Sequence, residues 1–226
     1  MSALQQLIDA GRTLVDAGLS PGSSGNLSVR DGDRILMTGT GTSLGALDAS
    51  SMATLDASGA HLGGATASKE VPLHLATYAR DAAFQAIVHV HSPYAVAASC
   101  LAPWSDESAI PPLTPYVLMR VGQVPLLPFA APGDPALGAL VTACPHPFRG
   151  ALLANHGAVV AAEDLPTAVG AAIELEEACR IALLTAGAER TLIAPEHVRA
   201  IADRWGMPWT GSYGAASIDA AVPARS

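Results

Sequence analysis

Positive charge is scarce in this chain. Its 226 residues carry 12 lysines and arginines against 20 aspartates and glutamates, for a formal net charge of -8. There is no broad electrostatic basis for non-specific binding to nucleic acid or anionic lipid. Aromatic residues make up only 4% of the chain and are not interleaved with basic ones, so a nucleic-acid stacking surface is missing too. Cys100, Cys144 and Cys179 are widely spaced, outside any paired metal-ligand motif, and read as reduced structural thiols. No apolar run reaches the roughly 20 residues of a membrane-spanning helix, because glycine, proline or charge interrupts each one. The mean hydropathy of +0.33 owes much to alanine. The N-terminus lacks the basic patch and apolar segment of a secretion signal, since Gln5, Gln6, Asp9 and Arg12 recur through an amphipathic pattern. Neither a nucleotide-binding P-loop nor a complete dinucleotide fingerprint occurs. The expectation is a cytoplasmic protein with no nucleic-acid partner and no membrane association.

What is present is apolar bulk: 50% of residues are hydrophobic, enough for one sizeable core. With no tandem repeat or clear linker, residues 1–226 are expected to form a single domain with an irregular tail from about residue 206. Leu4, Leu7, Ile8, Gly11, Leu14, Val15 and Leu19 recur near helical period and predict a helix over 2–17. Short strands are expected near 27–30, 34–38 and 52–55, with Asp31-Gly32 as a turn. The segment TASKEVPLHLATYAR starts a helix near Glu70, with Pro72 in its first turn. Residues 84–92 read as a buried strand, and Pro93 begins a helix over 94–101. In the proline-rich stretch that follows, 116–121 and 124–129 are expected to be short strands or the lining of an active-site entrance. Asp134 caps a helix through Ala143, and 150–154 forms a strand. The Asn155-His156-Gly157 loop leads to another strand through Val160, Asp164 opens a long helix over 166–186, and a short helix follows Glu196. This alternation predicts α/β or α+β architecture, with helices covering a central sheet.

Side chains two apart on a strand share a face, so His89 and His91 can approach one metal ion. His156, in a separate strand-to-loop transition, can complete a three-histidine set suited to Zn²⁺. The competing reading is of polar residues at strand ends. Glu70, near a helix start, is a candidate fourth ligand or general acid/base. His74, four residues on, reads as its structural partner on one helical face. The SSGN turn, the TGTG turn and Ser68-Lys69 can supply donors to a phosphate, with Asn26, Thr40 and Gly41 as contacts, although ordinary turns have the same composition. Arg120 and Arg149 read as solvated or structural. Among the hydroxyl donors Tyr94, Tyr116 and Tyr213, Tyr116 is the candidate for the substrate pocket because of its polar, proline-rich surroundings.

Taken together, SSGNLSVR, TGTG, ASKEVPLH, AIVHVHSPYAVAAS and LLANHGAVV resemble the class II aldolase/adducin family over residues 4–186, and especially its 3-oxo-tetronate 4-phosphate decarboxylase branch. The resemblance implies a three-layer α/β/α fold, a central sheet with helices on both faces. It further implies a homotetramer with one Zn²⁺ per subunit, or another divalent metal, near subunit contacts. It makes His89, His91 and His156 the metal ligands, and Glu70 the catalytic acid/base and a further ligand in the unliganded state. Asn26, Thr40, Gly41, Ser68 and Lys69 become the phosphate-facing positions. Fuculose-phosphate aldolases resemble the chain less well here, because they carry two serines before the glutamate where this chain has Ser68-Lys69-Glu70. The implied reaction is decarboxylation of a small phosphorylated sugar acid through a metal-stabilised enediolate, with Lys69 meeting phosphate or the departing carboxylate. Aldol cleavage of a phosphorylated ketose is the alternative, followed by dehydration and by a non-catalytic adducin-like module.

Overall fold

A computed structural model describes residues 1–211; Tyr213 and the end of the expected tail lie outside the described residues. An eight-stranded sheet forms the centre, in the order β4-β3-β2-β1-β5-β8-β7-β6. Its strands are β1 (Asn26–Asp31), β2 (Arg34–Thr38), β3 (Met52–Asp56), β4 (His61–Gly64), β5 (Ala86–Val90), β6 (Leu126–Leu127), β7 (Gly150–Leu153) and β8 (Gly157–Ala162). Every pairing is antiparallel except that of β6 with β7. All residues of β5, β7 and β8 are buried, as strands covered on both faces must be.

Two helical layers provide that cover, giving the three-layer α/β/α arrangement. On one face lie α1 (Ala3–Asp16), α3 (Pro93–Ser99), α4 (Pro115–Arg120), α6 (Leu165–Leu184) and α7 (Pro195–Trp205). Their apolar side chains join Leu27, Val29, Val88, Val90 and Val160 in one core. On the other face, α2 (Val71–Tyr78) and α5 (Ala136–Ala143) pack Leu73, Tyr78, Leu137 and Val141 against Met37, Ile87 and Val159. The strand period of two divides the sequence between these cores, sending alternate residues of each central strand to opposite layers.

Local signals explain most boundaries. Ser2 caps α1 by accepting from the Gln5 amide at 3.3 Å, and Asp164 caps α6 by accepting from the Thr167 amide at 2.7 Å. Asp134 accepts from the Ala136 amide at 2.8 Å at the start of α5. Elements expected at these places are found with ends shifted by a residue or two. Residues 116–121, expected as a short strand or the lining of an active-site entrance, instead belong to helix α4. Pro115 presets the backbone dihedral of its first turn, and Val117, Leu118 and Val121 all reach the core, a spacing a helix satisfies and a strand does not. Of 124–129, only Leu126–Leu127 is strand. Strand β4 has no counterpart among the expectations, since HLGG offers neither alternation nor β-branched residues.

Candidate metal centre

Strand register brings the central polar residues together. Asn26 on β1 lies opposite His89 on β5, and His89 lies opposite Val159 on β8. The chain can approach β5 here because residue 25 is glycine: it has φ +86°, and a Cβ on it would fall 2.8 Å from the His89 carbonyl oxygen. His91 follows the end of β5, and His156 comes from the β7–β8 turn. That turn depends on Asn155, whose φ of 55° makes it the only non-glycine residue with positive φ among those described. The rings of His89, His91 and His156 form a triangle, with centroids 4.7–5.0 Å apart.

Glu70 closes the triangle. It occupies the N-cap position of α2, yet its side chain makes no capping hydrogen bond. The carboxylate turns inward instead, with Oε2 at 3.1 Å from His89 Nε2 and Oε1 at 3.3 Å from His156 Nε2. The second contact lies off the hydrogen-bond axis, so Glu70 Oε1 and both His156 nitrogens stay buried without a hydrogen-bond partner. Nδ1 of His89 is 2.9 Å from the Ala158 carbonyl oxygen. Because a carbonyl only accepts, Nδ1 carries a proton, and Nε2 is the nitrogen that faces Glu70. His91 Nε2 is 3.0 Å from that same nitrogen.

One ligand atom from each of the four residues lies within 4.8 Å of the others. Buried lone pairs converging without partners are costly, and three imidazoles with one carboxylate are donors of the kind a divalent cation takes. The residues present therefore fit a divalent metal ion.

The electrostatics agree. Burial alone raises the Glu70 pKa, but attraction to His89 and contacts with His156, His89 and Asn26 outweigh it and hold the carboxyl well below the ordinary carboxylate range. Burial, followed by the proximity of His89 and His156, lowers His91 to about 4, with Glu70 opposing. His91 is thus neutral near pH 7, as a metal ligand must be.

The expected phosphate contacts lie alongside. A bridge between Gly39 and Ala67, with the Thr40 amide donating to the Thr66 carbonyl at 2.9 Å, sets the TGTG turn beside Ser68-Lys69. Thr40, Gly41 and Lys69 are exposed, whereas Ser68 is buried. Ser68 Oγ accepts from the Glu70 amide at 3.3 Å, which leaves its own hydroxyl proton to donate. The 131–134 turn packs against the Lys69 stem so closely that a Cβ on Gly133 would fall 2.8 Å from Lys69 Cβ. Asn26 turns its side chain to Glu70 and His74.

Tyr116 is exposed on α4, in the layer on the opposite face of the sheet from Glu70 and α2. Arg149 pairs with Glu163 at 2.9 Å. The cysteines are free, and burial raises the Cys179 thiol pKa.

His74, expected as a structural partner of Glu70, is buried and reaches it through Asn26, bridging Asn26 and Ser28. One contributor escaped the sequence reading. Glu176 on α6 accepts from Ser92 Oγ at 2.6 Å and from the Tyr94 and Ala95 amides at 2.8 Å, anchoring the chain just after His91. A glutamate in the middle of an otherwise apolar helix face is the only signal the sequence gives for it.

Comparison with known proteins is consistent with this geometry. Residues 5–183 match the family described as Class II Aldolase and Adducin N-terminal domain. A 3-oxo-tetronate 4-phosphate decarboxylase of Pectobacterium atrosepticum is 41% identical over 180 residues, covering 79% of this chain and 83% of the relative. An L-fuculose phosphate aldolase of Haemophilus influenzae is 29% identical over 200 residues, covering 87% and 90%. The crystal structure of YgbL from Escherichia coli superposes with a TM-score of 0.83 at 33% identity, covering 88% of this chain and 96% of that one.

Proposed function

This chain belongs to the class II aldolase and adducin family, and we propose that it is a zinc-dependent carboxy-lyase converting a 3-oxo-tetronate 4-phosphate to dihydroxyacetone phosphate and carbon dioxide. The observation that carries this reading is the buried convergence of Glu70, His89, His91 and His156 beside an exposed donor loop and a lysine. We assign the three histidines as metal ligands, with Glu70 as a further ligand when no substrate is bound. When bound there, a divalent cation supplies Lewis-acid polarisation of the substrate's oxygens.

The chain's own residues divide the remaining work. Thr40, Gly41 and Ser68 offer donors to the phosphate, with Asn26 at the junction between this cradle and Glu70. Tyr116, exposed on the opposite helical layer, has no place in this pocket within one chain. As the bond from C1 to C2 breaks, C1 leaves as carbon dioxide and the electron pair stays on C2, beside the C3 ketone. Glu70, ionised in the free site, takes up one solvent proton per turnover once substrate has displaced it from the histidines and delivers that proton to C2. Lys69, the only lysine of the chain, orients the carboxylate or the phosphate. Too firm a hold on the carboxylate would oppose its loss, so its contribution is positional.

Aldol cleavage of a phosphorylated ketose is the second reading. It too leaves an electron pair on carbon beside a ketone, and the 29% identity to an aldolase supports it. Lys69 before Glu70 and the 41% identity to a decarboxylase favour the first. The same proposal takes the chain as one domain assembling into a cytoplasmic homotetramer with one Zn²⁺ per subunit. No helix among the described residues is long and apolar enough to cross a membrane.

The test is to offer Zn²⁺-loaded protein the four-carbon oxo-acid phosphate. Equimolar carbon dioxide and dihydroxyacetone phosphate are expected. Reversible cleavage of a ketose phosphate with no carbon dioxide from the oxo-acid would overturn the assignment.

A further inference from the structure

A line of buried polar side chains leads away from Glu70, and beyond its first member, Asn26, it is not used by the chemistry above. Asn26 Nδ2 donates to Glu70 Oε2 at 2.7 Å, and Asn26 Oδ1 faces His74 Nε2 at 2.6 Å. Ser28 Oγ lies 2.7 Å from His74 Nδ1 and 2.9 Å from the Tyr78 hydroxyl. Two periodicities build this line. Asn26 and Ser28 are two apart on β1 and share a face, while Glu70, His74 and Tyr78 are four apart and share a side of α2 and its N-cap.

We propose that Asn26, Ser28, His74 and Tyr78 form a hydrogen-bond chain of fixed polarity that positions the Glu70 carboxyl group. The proposal rests on reading Glu70 as the proton-transfer group. The polarity follows from chemistry alone. A carboxylate only accepts, so the Asn26 amide nitrogen must face it, and Oδ1 must face His74. Oδ1 only accepts, so His74 Nε2 carries a proton. In a neutral ring Nδ1 is then an acceptor, Ser28 donates to it, and Ser28 accepts from Tyr78. His74 is neutral in this setting: burial first, then the proximity of His89, lowers it to about 3, with Glu70 opposing.

This single proton assignment satisfies each link from Tyr78 to Glu70, the condition under which a buried polar network is tolerated. The amide interrupts proton conduction, because Asn26 cannot accept a proton at one end and release another at the other as a hydroxyl does. The chain therefore orients Glu70 and does not feed it protons. Asn26, Ser28, His74 and Tyr78 are positioning residues.

The test uses the metal-loaded enzyme and whichever phosphorylated substrate the wild type turns over. His74→Leu is expected to lower kcat by roughly 10- to 100-fold, the usual range for residues that orient an active-site group, with KM and metal content near wild type and a melting temperature lowered because Asn26 Oδ1 and Ser28 Oγ lose their partner. His74→Gln, which can both donate and accept, should recover most of the loss. In parallel, nitrogen NMR of ¹⁵N-histidine-labelled protein should find His74 protonated at Nε2 only. Near-wild-type turnover in His74→Leu, a loss that merely tracks the folded or metal-loaded fraction, or a His74 protonated at Nδ1 would each overturn the proposal. If His74→Leu does not fold, Tyr78→Phe carries the test. Removing the terminal hydroxyl should leave His74 protonated at Nε2, because Asn26 Oδ1 still only accepts, and a ring protonated at Nδ1 would contradict the fixed polarity. Because the NMR readout needs no turnover, it separates failure of this chain from failure of the proposed reaction.

Discussion

Asn26 and Leu27 are adjacent on β1 and equally hidden, at 6% and 0% exposure, yet they face opposite layers. Leu27, Val29, Val88 and Val90 point into an apolar core, where burial of each such side chain contributes about 1.5–3 kcal/mol. Asn26, Ser28 and His89 point the other way, where each polar atom left unpaired would cost about 1–3 kcal/mol. The same two strands thus carry a stabilising face and a face that is expensive unless paired. Retaining polar groups on the second face makes sense only for what they hold at its end, which is Glu70 among three histidines.

Substitutions on the two faces should therefore separate rate from stability. The largest effect is expected at Glu70→Gln, which keeps the shape of the side chain and removes its acid/base function. Turnover should fall by roughly 10²- to 10⁴-fold while the thermal melt stays cooperative, and near-wild-type kinetics would remove Glu70 from the chemistry. On the apolar face, Leu27→Ala should cost about 2–5 kcal/mol in denaturant unfolding and leave the kcat of the folded fraction unchanged. A large fall in kcat would mean that the two faces are not independent.

The smallest effect is one of pH, read on chelator-treated protein. His91 and His74 are held at about 4 and about 3, against an ordinary 6.5. Below about pH 6.5 the unfolded chain binds protons that the folded one refuses. The stability these groups permit is complete above that pH and falls as the pH drops toward their folded values. Glu70, lowered from 4.5, acts in the same direction below 4.5. The melting temperature should decline from about pH 7 to about pH 5, with a shallower decline in His74→Leu. A flat profile would place these rings in a charged state in the fold.

How much of this was legible in the sequence depended on how local each signal is. The pairing of His89 with His91 is a strand-period pattern, visible without a partner strand. The approach of His156 rests on a turn whose left-handed Asn155 no composition rule identifies. Glu70 and His74 are four apart in either environment, so their spacing could not reveal that His74 is buried. That requires the β1 register that turns Asn26 and Ser28 toward α2. For α4 a short apolar run left strand or entrance lining open because it satisfies both periods, and only the joint burial of Val117, Leu118 and Val121 decides for helix. Strand β4, made of small residues at an edge, carries no pattern at all.

On the proposed reading the polar face is retained for a divalent metal ion, and metal content against turnover tests that most directly. Purified protein should hold about one Zn²⁺ per chain, lose turnover when a chelator strips it, and regain turnover when about one equivalent is returned; His89→Ala and His156→Ala should lose both metal and activity. A folded, metal-free chain turning over at the wild-type rate would contradict the assignment of Glu70, His89, His91 and His156 as a metal centre.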